Sequence, residues 1–142
     1  SNPLAELQIT PVEKEQMRDM ASTRKLPEKE IMHVTATQIG EQTNVGWSEH
    51  SYYEERVVLD FIIDTIFENN PGSFPTKEVV FDLFLKAHFE GSFLPAARFI
   101  KSTFGVEALR MIAMMSPKDK ESASKVLRYL KKHIQKQPLS QL

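Results

Sequence analysis

Apolar residues along this chain recur at helical spacing, and no stretch alternates as a strand with a hairpin partner would. From about Ser48 to Glu68, Val57, Val58, Leu59, Phe61, Ile62, Ile63, Ile66 and Phe67 surround most of a helix axis. Arg56, Asp60, Asp64 and Glu68 stand four apart and form its single polar stripe, the pattern of a helix central to a bundle. Asn69-Asn70-Pro71-Gly72 stops it. Thr76 is placed to cap a second helix through about Phe89, with Gly91 just past its end. A third spans about Leu94 to Phe104 and closes at Gly105. Residues 106–115 favour helix through Ala, Leu and Met, although a strand stays open. Ser116-Pro117 opens a last helix running to roughly Lys136.

The N-terminal third is patterned more weakly. Thr10-Pro11-Val12-Glu13 is a capping box with proline at the first helical position, predicting a largely charged helix to about Ser22. Pro27-Glu28 starts another helix through Ile31 and Met32, and Thr35-Ala36-Thr37-Gln38 offers a further capping box before Ile39. Asn44-Val45-Gly46 has turn composition. Residues 1–9 have neither aromatic anchor nor clear periodicity, so a disordered arm is expected there. The fold class is therefore all-α, a bundle of five to seven helices. An acidic N-terminal helical segment over 10–47 is expected either to pack as a satellite against a helical core domain over 48–142 or to reach away from it as an arm.

Composition sharpens that division. All nine phenylalanines lie between Phe61 and Phe104, and the first 46 residues hold no Phe, Tyr or Trp. Aromatic side chains dominate core burial, so the core is expected from the middle of the chain, with Phe61, Ile62, Phe81, Phe84, Phe99 and Leu130 packed together. At 142 residues with 41% hydrophobic and 26% charged residues, the chain can bury its own core, and wholesale disorder is excluded. Its longest uninterrupted apolar run, Met111 to Met115, is far too short to span a membrane, and no membrane partner is expected. The chain opens Ser1-Asn2 without methionine, as a processed or excised product would. The absence of cysteine excludes disulfides and thiolate chemistry, and it fits the cytoplasm or another reducing intracellular compartment.

Charge is distributed unevenly behind a net value of −1. Residues 1–90 hold 8 Lys and Arg against 16 Asp and Glu, and residues 91–142 hold 10 against 3. In the last helix Ala123, Val126, Leu127, Leu130 and Ile134 share an apolar face. Lys118, Lys125, Arg128, Lys132 and Lys136 gather opposite, interrupted by Glu121. Five cations on one face suit phosphate neutralisation, a solvated outer face, or an acidic protein.

Thr35 to Gly46, with Ile39 followed by the small Gly40 and with Val45 after Asn44, resembles the first helix and turn of the helix-turn-helix family of DNA-binding proteins. The resemblance covers residues 35–56 only. It implies a recognition helix from Trp47 to Arg56, with Ser48, His50, Ser51 and Tyr52 nearest the bases. The alternative for the same residues is two bundle helices joined by a tight turn.

Catalytic chemistry finds little support. No Gly-rich phosphate loop, HExxH or EF-hand loop is present, and His33, His50, His88 and His133 lack metal-ligand spacing. Asp60 and Asp64 share a helix face, but Arg56 one turn earlier makes an intrahelical ion pair the simpler reading. Met111, Met114 and Met115 suit core filling, and Ser92, Ser102 and Thr103 have no evident His–carboxylate partner. The expectation is a protein with no catalytic residues, metal or cofactor: a nucleic-acid-binding or replication/transcription-associated helical module. The alternative is a protein–protein interaction domain of a larger protein, with a protein partner or a second copy and no nucleic acid.

Overall fold

The computed structural model describes residues 25–46, 53–89, 93–115 and 119–135, together with Val12, Gln16, Asp19, Met20 and Thr23 before them. Among the described residues the secondary structure is six packed helices with no strand. They are α1 (Glu28–Gly46), α2 (Tyr53–Asn69), α3 (Lys77–Phe89), α4 (Phe93–Phe104), α5 (Val106–Met114) and α6 (Lys120–Lys132). The ambiguous stretch after Gly105 is thus helical. The arm expected over residues 1–9 lies outside the described residues.

Local signals explain most boundaries. Where α2 ends, the Asn70 side-chain amide donates to the Ile66 carbonyl at 2.7 Å, and Gly72 takes φ +83°, which side chains disfavour. At the start of α3 the Val79 N–H reaches the Thr76 carbonyl at 3.2 Å. Gly105, at φ +93° and ψ 167°, turns the chain from α4 directly into α5. The last helix starts later than Ser116-Pro117 suggests. Asp119 is its N-cap, its carboxylate accepting the Glu121 N–H at 3.0 Å. It also ends before Lys136, at a cap on His133.

The expected satellite role fails for residues 26–40. Helix α1 packs against α2, α3, α4 and α5, while α6 docks on α2 and α5. Leu26, Ile31, Val34, Ala36 and Ile39 belong to the same buried cluster as Ile62, Phe84, Ile100, Leu109 and Leu130. The physical reason is size. Ala36 and Gly40 are buried on α1, and side chains this small leave room for neighbouring helices, so a helix whose described residues carry no aromatic can occupy the core. Thr35 is fully buried as well, and its hydroxyl donates to the Leu109 carbonyl on α5 at 2.6 Å. Of the core set read from sequence, Ile62, Phe84 and Leu130 are fully buried. Phe61, Phe81 and Phe99 are partly buried against the cluster. Met115 is buried and Met114 packs beside it, as core filler.

Helix α1 also runs unbroken through Asn44-Val45-Gly46. The turn demanded by the helix-turn-helix resemblance is therefore absent at that position. Asn44 and Gly46 stand in the last turn of α1, where such residues favour helix termination. The second capping box, at Thr35, lies inside the helix for the same reason: its threonine hydroxyl bonds another helix instead of a local N–H.

Candidate functional site

Helix α6 carries the residues singled out for phosphate contact. Ala123, Val126 and Leu130 are buried on one side, and Leu127 and Ile134 pack partly against the core. Lys125, Arg128 and Lys132 are exposed on the opposite side. None of the three has an ion-pair partner among the described residues. Lys118 and Lys136, and likewise Ser48, His50, Ser51 and Tyr52, lie outside the described residues. The basic face is thus brought together as a row of three, with Glu121 one turn before Lys125.

The helix is fixed at both ends. Asp119 caps its start, and beyond its last turn the Gln135 N–H donates to the Thr103 carbonyl at 2.7 Å. The Gln135 carbonyl accepts from the Asn69 side chain at 2.7 Å. The tail of α6 thereby satisfies a carbonyl in the last turn of α4 and is tied to the end of α2. On its flank Lys131 Nζ lies 5.8 Å from the Phe61 ring centre, an attraction between cation and ring face. Tyr129 and His133 stack at 3.9 Å, and the His133 Nδ1–H donates to the Tyr129 carbonyl at 2.8 Å in the tautomer protonated there.

The acidic stripe of α2 is largely consumed by local pairing. Arg56 and Asp60 form the expected intrahelical pair at 4.0 Å, and Asp64 accepts from Lys77 at 3.0 Å. Burial pushes the Asp60 carboxyl above its ordinary range, Arg56 opposes that shift, and Asp64 adds to it. The hydrogen bond to Asp64 raises the Lys77 ammonium, with help from the charges of Asp64, Glu68 and Glu78. Each of the two carboxylates thus has its own cation.

A second constellation was not apparent from the sequence. Between the first turns of α1 and the outer face of α4 lies an open groove of about 780 Å³. Glu28, Lys29 and Met32 line one wall and Leu94, Arg98, Lys101 and Ser102 the other, with Gln135 at the end. Lys101 pairs with Glu28 across it. Arg98 and Lys101 belong to the excess of Lys and Arg after residue 90, but nothing in the sequence distinguished them or pointed to their meeting Lys29.

Among the described residues no group of three or more His, Asp or Glu is placed to hold a metal ion. No described helix is long and apolar enough to cross a membrane. Comparison with protein-family models, with curated proteins and with solved structures finds no match to this chain.

Proposed function

We propose that this chain is a non-catalytic binding module that uses the outer face of α6 to hold the phosphate backbone of nucleic acid without reading sequence. The observation that carries the reading is the row of Lys125, Arg128 and Lys132, all exposed and without ion partners among the described residues, on a helix anchored by its other face. From Lys125 to Lys132 the axis rises about 10 Å, comparable with three steps of ~3.4 Å between successive phosphates of one strand. Phosphate contacts fix position and carry no base information, which agrees with a helix α1 that offers no helix-turn-helix turn.

The test is fluorescence anisotropy with labelled duplex DNA, single-stranded DNA and RNA. Three neutralised phosphates give a salt slope of about −2.7 on duplex, so binding should weaken about 40-fold between 50 and 200 mM salt. Affinity should be micromolar or poorer, as for sequence-independent contacts. Reversing Lys125, Arg128 and Lys132 to glutamate should abolish binding and leave the circular dichroism spectrum unchanged. Absence of a shift with every probe at low ionic strength rejects the reading.

A further inference from the structure

We infer that the groove between α1 and α4 is a docking site for an acidic amphipathic peptide segment of a partner protein, separate from the face of α6. Leu94, Arg98 and Lys101 fall at i, i+4 and i+7 on α4, so one face of that helix presents an apolar residue followed by two cations. The adjoining face, with Ala96, Ala97, Ile100 and Phe104, is buried and holds this one in place. Lys29 and Met32 project from α1 across the groove. Among the described residues the walls carry three cations and one carboxylate, that of Glu28.

The pairing of those cations is unequal. Lys101 is occupied by Glu28, whereas Lys29 and Arg98 have no ion partner among the described residues. Leu94 is 40% exposed, high for a leucine, and Met32 is only partly buried beside it. The complement is a segment with carboxylates spaced to reach Arg98 and Lys29 and an apolar side chain between them for Leu94 and Met32. The planar guanidinium of Arg98 can bind one carboxylate through two hydrogen bonds. An incoming carboxylate can also take Lys101 from Glu28. Nucleic acid fits the groove less well: the lining side chains among the described residues include no aromatic ring on which a base could stack. The groove is open among the described residues, which suits a chain segment better than a small solute that it would leave mostly in water.

The probe is a fluorescein-labelled peptide of about ten residues in which Asp and Glu alternate with Leu, titrated with the full chain at low salt. A control peptide keeps the acids and replaces each Leu with Ser. Saturable binding is expected, weaker for the control. Arg98→Glu and Lys29→Glu should each weaken it about five-fold or more, as expected for loss and reversal of an exposed charge pair. Glu28→Gln should tighten it about two-fold by releasing Lys101. These side chains are on the surface, so folding should persist, and circular dichroism checks it. The triple reversal of Lys125, Arg128 and Lys132 removes more positive charge and should change peptide affinity less than about two-fold, which separates a local site from bulk attraction. Three results overturn the inference: no saturable binding, loss of binding on reversing α6 but not Arg98, or an unlabelled oligothymidylate whose own affinity falls with Arg98→Glu. The oligothymidylate arm is run in the background of the α6 triple reversal, so that none of these outcomes depends on whether α6 binds nucleic acid.

Discussion

Two threonines buried in this bundle should respond in opposite directions to the same substitution. Thr35 is fully buried on α1, and its hydroxyl donates to the Leu109 carbonyl at 2.6 Å, joining two helices that are 74 residues apart in the chain. Thr103 on α4 is 1% exposed, and its hydroxyl has no hydrogen-bond partner among the described residues. Valine matches threonine in shape and branching, so each Thr→Val change replaces a hydroxyl with a methyl and little else. At Thr35 the change forfeits a net contribution of about 0.5–1.5 kcal/mol. At Thr103 it relieves the cost of a desolvated, unsatisfied hydroxyl, worth about 1–3 kcal/mol on mutational scales. Thr35→Val should therefore lose about 1 kcal/mol, and Thr103→Val should gain about as much. For a chain of this size each kcal/mol moves Tm by about 2–4 °C, so the two variants should melt about 4–8 °C apart, on either side of wild type. Urea unfolding followed at 222 nm gives the same comparison, with unchanged m-values showing that only stability has moved. If both variants shift in the same direction by similar amounts, the different bonding assigned to the two hydroxyls is wrong.

Three further outcomes follow from the same packing. Phe84 is fully buried, so Phe84→Ala should cost about 3–5 kcal/mol and lower Tm sharply; a wild-type melting curve would misplace the core. Gly105 sits at φ +93° and ψ 167°, a region that side chains other than glycine's rarely enter, and an added Cβ would stand 2.8 Å from Gln135 Nε2. Gly105→Ala should lose about 1–3 kcal/mol, read by urea midpoint. Burial holds the His33 imidazole below the ordinary value of 6.5, so the unfolded chain binds its proton first as pH falls. Stability should therefore decline from pH 6.5 downward until the folded-state value is passed, and His33→Gln should flatten that part of the urea-midpoint profile.

Helices that announce themselves by a complete local code were legible in the sequence. The Asn69-Asn70-Pro71-Gly72 stop, the Thr76 start and the Gly105 break all lie at observed boundaries, because capping and positive φ are decided within a few residues. The centre of the bundle was not legible. Aromatic content pointed to residues 48 onward, but centrality depends on how closely neighbours can approach, which favours Ala36 and Gly40. The same locality misplaced the turn at Asn44-Val45-Gly46. Residues that terminate a helix and residues that join two helices have the same composition, and only the length of the preceding helix separates them. Thr35 shows the limit most clearly, since the acceptor that holds its hydroxyl lies on α5.

Among the described residues, helices from the acidic and the basic portions of the chain lie against each other, and this decides where cations without an ion partner remain. Helix α1, from the acidic portion, lies against α4, from the basic portion, and Glu28 neutralises Lys101 where they meet. Within the acidic portion itself, Lys77 and Arg56 take up Asp64 and Asp60. Two of these pairs, Lys77 with Asp64 and Lys101 with Glu28, join different helices, and they do so at little energetic gain, since they are about half exposed. Helix α6 escapes because its neighbours, α2 and α5, engage it through Ala123, Val126 and Leu130. Lys125, Arg128 and Lys132 on the far side meet no acidic helix among the described residues. An amphipathic helix at the edge of a bundle retains its charge for a partner because its apolar stripe, not its charge, makes the contacts of folding.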